Sequence, residues 1–336
     1  MKKHLTKLFA MLLALALIAG AIPVVFAAAA PGEEASQQIT GDVQQDSEAQ
    51  PQESEPVGEV PSEADPSEEE PAGPEVPAEP EEPQYVSSLY VNGVPVPGDS
   101  FQNVKGTNYI TVQAFIAVMD PEAAVSEWNG TVSVSASSGG ADLSMTAGAG
   151  NVYLQANGRC LYVAGGNRYV NGLVAVPVRV MATVFNMDVA YDGDARVAFL
   201  TPREGAGPYL TSGAAYYNGD DLYWLSHIIN AESGNQPLDG KIAVGNVIMN
   251  RVNDRSSNWP NTVKGVIFQK NQFSPAASGS VYREPNAQSV IAAKLVLEGV
   301  QVLPTAKFFN ATYLKNTWAA RNRPYLCTIG GHAFYA

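Results

Sequence analysis

Residues 222–253, LYWLSHIINAESGNQPLDGKIAVGNVIMNRVN, carry the clearest chemical signal in the chain. Leu222, Leu225 and Ile229 recur at steps of three and four, the spacing of one helix face. The next step on that stripe is Glu232, so a carboxylate stands where the pattern calls for a core residue. Partial desolvation disfavours an ionised carboxylate and raises its pKa. The partly negative C-terminal end of a helix pushes the same way. A carboxylic acid that stays protonated near neutral pH is what protonation of a glycosidic oxygen requires. The alternative is an ordinary helix-end residue reaching solvent, and periodicity alone leaves both readings open.

The elements that must position Glu232 follow from the same pattern. Asp220 and Asp221 precede the helix and suit its N-terminal N–H groups and dipole, and Gly234 marks its stop. Pro237 and Asp239 lead into a second helix over about 238–253, with Ile242, Val247, Ile248 and Val252 on its buried side. A shorter helix is predicted over about 262–269. Pro285 opens another, to about Glu298, with Val290, Ala293 and Leu297 as its apolar stripe and Gly299 as its stop. From Lys307 onward the chain alternates as strand and hairpin, with Gly330-Gly331 as a turn. The region reads as a small α-rich α+β domain.

Several ordered motifs in this region resemble one family. They are Ala231-Glu232-Ser233-Gly234, Gly240-Lys241-Ile242-Ala243-Val244, Val247-Ile248-Met249-Asn250-Arg251-Val252, Trp259-Pro260-Asn261-Thr262-Val263, Gly265-Val266-Ile267, Gln272-Phe273-Ser274 and Ile329-Gly330-Gly331-His332-Ala333-Phe334-Tyr335. Together, from about residue 216 to the end, they resemble the SleB-like cell-wall hydrolases, the spore cortex-lytic enzymes. The resemblance implies a lysozyme-like fold, cleavage of peptidoglycan glycan strands, and Glu232 in the place of the catalytic glutamate. It implies a lytic transglycosylase acting between N-acetylmuramic acid and N-acetylglucosamine; a hydrolytic muramidase and a non-catalytic peptidoglycan-binding protein are the alternatives. Gln272, Phe273 and Ser274 occupy the family's mid-domain motif. Asn310, Tyr313, His332 and Tyr335 are further candidates for the walls of a sugar-binding cleft, since sugars present hydroxyls, acetamides and apolar faces. For His332 a structural hydrogen bond within the hairpin is the competing role. His227 lies off the Glu232 stripe and reads as packing or surface. Glycoside cleavage usually uses two carboxylates. Asp239, Asp254 and Glu284 are the candidates for a second one, each also readable as a solvated surface acid. The loop at 276–284, AASGSVYRE, is short for the family pattern.

The rest of the chain frames this domain. Residues 1–30 combine Lys2, Lys3 and Lys7 with an apolar run and small residues from Ala27, the pattern of a secretory signal; left uncleaved, it would tether the protein to a membrane. The formal net charge of −13 belongs to one segment. Residues 31–84 hold 17 Asp/Glu, ten prolines and no Lys or Arg, which leaves 17 basic and 16 acidic residues in 85–336. The segment reads as a disordered, extended linker. The acidity, a property of this linker, argues against a nucleic-acid partner. Residues 85–202 contain short β-branched runs punctuated by glycine and an internal repeat. One copy is Ile110-Thr111-Val112, a helical stretch to Met119, then Val125 to Gly130 and a strand. The other is Val174 to Pro177, a helical stretch to Phe185, then Val189 to Gly193 and a strand to Leu200. Val176-Pro177-Val178-Arg179 through Tyr191-Asp192-Gly193 resembles the copper amine oxidase N-terminal-like module, read here as a stalk or wall-associating unit. Residues 203–219 read as a polar connector. The only histidines are His4, His227 and His332, and Cys160 and Cys327 are far apart, so neither a copper site nor a zinc set is recognisable and no cofactor is expected. The two cysteines either pair, fixing the two domains together, or remain separate buried thiols.

Overall fold

The structure is a computed structural model and describes residues 86–336. The expectations for the signal segment and the acidic linker lie outside the described residues.

The first half is β-rich. Its elements are β1 (Ser88–Val91), β2 (Val94–Pro95), β3 (Phe101–Val104), β4 (Thr107–Thr111), α1 (Val112–Met119), β5 (Ala124–Trp128), β6 (Thr131–Ser138), β7 (Ala141–Gly148), β8 (Tyr153–Ala156), β9 (Arg159–Tyr162), β10 (Arg168–Val170), β11 (Leu173–Pro177), α2 (Val178–Val184), β12 (Met187–Asp192) and β13 (Val197–Pro202). They form three sheets, ordered β12-β13-β1-β2, β10-β11-β4-β3 and β5-β6-β7-β8-β9. Asn92, Asn129, Asn157 and Asn171 each take a positive φ before a glycine, the turn chemistry that closes two-residue hairpins. The Asp192-Gly193 corner is longer, because β13 resumes only at Val197 and Asp192 Oδ1 accepts from Ala195 N at 2.9 Å. The internal repeat becomes symmetry: β4 and β11 pair antiparallel with Ile110 opposite Val176, and each runs directly into a helix. Thr111 caps α1 by accepting from Ala114 N, whereas Pro177 enters α2 with its φ at −56°. Val, Leu and Met side chains from the sheets bury against Phe115 and Phe185 to form one core.

The second half is the α-rich domain: α3 (Gly213–Tyr216), α4 (Gly219–Ser233), α5 (Leu238–Asn253), α6 (Val263–Ile267), α7 (Ser274–Ser278), α8 (Ala287–Leu297), β14 (Phe308–Ala311), α9 (Trp318–Asn322), β15 (Tyr325–Ile329) and β16 (His332–Tyr335). The last three strands make an antiparallel sheet ordered β14-β16-β15, with Gly330 and Gly331 at the hairpin turn. Helices α4, α5 and α8 pack around Leu225, Ile229, Val244, Ile248, Ala293 and Val296. All three helices meet at Gly245, where a Cβ would lie 2.8 Å from Val296 Cγ2 and 3.0 Å from Ile229 Cδ1.

Local expectations shift at helix ends and in the connector. Asn218, not the aspartates, caps α4 by accepting from Asp221 N at 3.1 Å; Asp220 and Asp221 sit inside the first turn, where their charge still suits the dipole. Asn286 caps α8, one residue after Pro285. The buried face of α8 is Ser289, Ala292, Ala293, Leu295 and Val296, while Val290 and Leu297 are half-buried. The helix is covered from several sides, so no single stripe describes it. The 203–219 connector is structured: Tyr209 and Leu210 join the first core, and Tyr209 donates its hydroxyl hydrogen to Asp120 Oδ2 at 3.1 Å. The short helices α7 and α9 are not among the elements expected from the sequence.

The two halves are docked through β9 and α8. Arg159 donates from Nε to Glu298 Oε1 at 2.8 Å and from Nη2 to Oε2 at 2.6 Å. Tyr217 donates to Glu298 Oε1 at 2.7 Å, and the Tyr216 ring lies 3.6 Å from the Arg159 guanidinium carbon. Lys294 Nζ donates to the carbonyl of Gly158 at 2.7 Å. Cys160, from the β-rich half, is buried in the core of the α-rich half. Cys160 and Cys327 are both free thiols, the second only half-buried. Among the described residues no helix is long and apolar enough to cross a membrane.

Candidate active site

Glu232 occupies the last turn of α4. The apolar stripe below it, Leu225 and Ile229, is fully buried. Gly234 ends the helix in a right-handed conformation, so its role is space: a Cβ there would lie 2.6 Å from Asn230 O. Glu232 is itself half-buried, and among the described residues no hydrogen bond or ion pair reaches its carboxylate. Burial without a compensating partner pushes its pKa up to about 7. The side chain lines an open cavity of ≈ 1190 Å³.

Gln272, Phe273, Ser274, Asn310, Tyr313 and His332 line the same cavity. Gln272 and Phe273 lead into α7, which Ser274 begins; Asn310 is on β14, and His332 opens β16. Gln272 Oε1 accepts from Arg251 Nη1 at 3.1 Å, and Asn310 Nδ2 donates to Thr317 Oγ1 at 2.6 Å. Tyr313 is 79% exposed at the rim. His332 is buried, its ring 5.2 Å from Phe309, and its Nδ1 has no partner. No hairpin hydrogen bond therefore accounts for that nitrogen, and burial lowers the ring's pKa, favouring the neutral imidazole.

Tyr335 corrects the expectation. It lies outside the cavity, packed 5.9 Å from the ring of Tyr325. Side chains alternate along β16, so placing His332 and Phe334 beside Phe309 sends Tyr335 to the other face. The three second-carboxylate candidates also lie elsewhere. Asp239 and Glu284 are exposed. Asp254 is held by Lys307 at 2.6 Å and by Ser256, contacts that depress its pKa. Glu232 is the one carboxylate among the residues that line the cavity. His227 is core packing, its Nδ1 2.9 Å from Val281 O.

Much of the cavity's aromatic and cationic wall is not among the residues expected from the sequence: Arg251, Trp259, Phe308, Trp318 and Arg323. Arg251 is buried at the end of α5, donates from Nε to Lys307 O at 2.7 Å, and lies 4.4 Å from the Trp259 ring. Burial lowers its pKa to about 10. Its signal was the one that exposed Glu232, a charge three residues beyond Ile248 on an apolar helix face. Arg323 stacks 5.0 Å from Phe308 and 5.2 Å from Trp318. Among the described residues no group of three His, Cys, Asp or Glu side chains is placed to hold a metal ion.

Chemically, the arrangement offers one proton near neutrality, amide and imidazole groups for hydrogen bonding, and flat rings for apolar sugar faces.

Two parts of the chain are similar to known proteins. The spore cortex-lytic enzyme of Bacillus cereus is 34% identical over 137 residues, which are 40% of this chain and 49% of the relative. That of Bacillus subtilis is 31% identical over 119 residues, 35% of this chain and 38% of the relative. The chain thus spans half or less of the length of these curated relatives. Two solved structures align at 31% identity and a TM-score of 0.33 over 36% of this chain: the catalytic domain of the Bacillus cereus SleB protein, covered to 92%, and that of the germination-specific lytic transglycosylase SleB from Bacillus anthracis, covered to 97%. The family described as Cell Wall Hydrolase matches residues 235–335, beginning just after Glu232, and that described as Copper amine oxidase N-terminal domain matches residues 90–200. Over residues 235–335 the chain is thus similar to cell wall hydrolases, and over residues 90–200 to copper amine oxidase N-terminal domains.

Proposed function

We propose that this protein cleaves peptidoglycan glycan strands between N-acetylmuramic acid and N-acetylglucosamine, as a lytic transglycosylase of lysozyme-like fold acting outside the cell at the wall. The observation that carries the reading is Glu232, a carboxyl group raised to about 7, with no partner and no other carboxylate on its cavity among the described residues. In the first half of the reaction Glu232 gives its proton to the glycosidic oxygen as the bond to the muramic acid anomeric carbon breaks. The resulting carboxylate then takes the proton of the muramic acid 6-hydroxyl, whose oxygen closes on that same carbon. The product is a 1,6-anhydro end; no water is consumed, and Glu232 is protonated again. One group alternating between acid and base suits a pKa near the working pH. Gln272, Ser274, Asn310 and His332 supply hydrogen bonds to hydroxyls and acetamides. Phe273, Trp259, Phe308 and Tyr313 supply apolar faces. Arg251 and Arg323 bring positive charge toward the acidic substituents of muramic acid.

The test is digestion of purified sacculi followed by mass spectrometry. The wild-type chain is expected to release muropeptides with anhydro-muramic ends, and Glu232→Gln to release none while remaining folded. Reducing-end muramic acid would replace the transglycosylase step by water attack. Release undiminished in Glu232→Gln would refute the role of the glutamate.

A further inference from the structure

The β-rich half carries a feature that cleavage does not use. Trp128, at the end of β5, is 85% exposed. Ladder register shows what it stands beside. Trp128 is opposite Thr131 across β5–β6, and Thr131 is opposite Gly148 across β6–β7. Directly opposed residues of antiparallel strands share a face, so the indole, the Thr131 hydroxyl and the bare Cα of Gly148 form one row. Thr131 and Gly148 line a depression of ≈ 440 Å³ whose other walls include Asn129, Asn151, Arg168 and Tyr169.

Glycines hold these walls in place. A Cβ on Gly148 would lie 2.5 Å from Asn151 Nδ2, so the missing side chain makes room for that amide. A Cβ on Gly130 would lie 2.5 Å from the Tyr169 hydroxyl, which seats a ring that is 54% exposed. Beneath them Asn167, 2% exposed and part of the same lining, donates from Nδ2 to Gly148 O at 3.0 Å and to Tyr153 O at 2.9 Å, while its Oδ1 has no partner. Among the described residues Arg168 Nε also has no partner. Among the described residues no carboxylate lines the depression.

An exposed indole next in the chain to Asn129 and opposite Thr131, at the edge of a depression lined by amides, a hydroxyl and one guanidinium, matches a polymer of N-acetylated amino sugars. The ring takes the apolar face of a pyranose, the amides and hydroxyl take its acetamido and hydroxyl groups, and Arg168 takes acidic substituents. We propose that this depression is a second glycan-binding site, which holds the wall polymer through stacking on Trp128. The identity of the polymer rests on the proposed cleavage function; the site itself does not. Its placement suits an anchor. β5 is the sheet edge opposite β9, about 19 Å away at ~4.8 Å per strand, and β9 is the strand clamped to α8 by Arg159 and Glu298. The depression and the catalytic cavity thus belong to one docked body, and two sites on one body raise avidity for a polymer that reaches both.

The experiment is co-sedimentation of the full chain with purified sacculi in a Glu232→Gln background, so that the polymer survives the assay. Adding Trp128→Ala is expected to weaken binding about tenfold, with Trp128→Phe restoring most of it and thermal unfolding unchanged in both. In the otherwise wild-type chain, Trp128→Ala is expected to slow solubilisation of sacculi while turnover of short soluble fragments stays as it was. Binding by Glu232→Gln/Trp128→Ala equal to that of Glu232→Gln would overturn the proposal. So would binding that salt abolishes but N-acetylated sugar oligomers do not compete, since charge rather than stacking would then hold the wall. Because sedimentation reads no chemistry, loss of the cleavage reading would leave these outcomes interpretable.

Discussion

Glutamine at position 232 isolates what burial of the acid does to the fold. In the unfolded chain the carboxyl ionises near its ordinary value of 4.5, and in the folded chain near 7. Between those values the unfolded chain has lost the proton and the folded chain has kept it, so rising pH favours unfolding. The carboxyl's contribution is thus most favourable below about 4.5, falls as pH rises through 7, and is level above. A shift from 4.5 to about 7 corresponds to at most ~3.4 kcal/mol at ~1.36 kcal/mol per pKa unit. The side chain opens onto the cavity, so solvent screening reduces the effect to about 2 kcal/mol. Glutamine has nearly the same shape and no titration. Urea unfolding of wild type and Glu232→Gln at pH 4 and pH 8 gives the answer as a difference of differences, in which every other titrating group cancels. The two proteins are expected to be nearly equal at pH 4, with the variant about 2 kcal/mol more stable at pH 8. A gap that is the same at both pH values would refute the buried, unpartnered acid, and with it the basis of the proposed chemistry.

Activity follows the same group: the rate at low substrate is expected to fall about tenfold per pH unit above about 7 as the proton donor is lost, and a profile flat to pH 9 would contradict it. Glu298→Ala leaves Arg159 buried without its acceptor, both side chains being at most 12% exposed in the wild type. It is expected to cost about 3–5 kcal/mol in urea unfolding, with Arg159→Met/Glu298→Leu recovering most of the loss. Gly245→Ala forces a methyl against Val296 and Ile229 where α4, α5 and α8 meet, and is expected to cost about 1–3 kcal/mol without altering the cavity.

What could be read in advance was what repeats at short range. The apolar steps of α4 located Glu232, and the run from Leu238 to Asn253 emerged as the helix the periodicity outlined. Asn-Gly pairs marked hairpin turns because only a few residue types accept positive φ. Arg251 is legible by the same rule as Glu232, as a charge on a buried stripe, although guanidinium groups often reach solvent. Tyr335 was misplaced for a definite reason: a motif names residues without facing them, and one step along a strand reverses the face.

The remaining wall of the cavity has no local signature. Trp259, Phe308, Trp318 and Arg323 come from separate segments, and they converge only because β14 pairs with β16 while α9 packs against β14. The same holds for the docking of the two halves. Arg159 ends an Asn-Gly hairpin and Glu298 sits at the foot of α8, 139 residues away, each with the look of a surface charge. An arginine with both faces of its fork matched to a carboxylate, a tyrosine ring beneath it and a second tyrosine hydroxyl on the same oxygen is satisfied only in the assembled chain. That cluster packs the module read as a stalk or wall-associating unit against the α-rich half. Its one buried thiol, Cys160, adds apolar volume to the other half's core in place of the disulfide that could have joined the two.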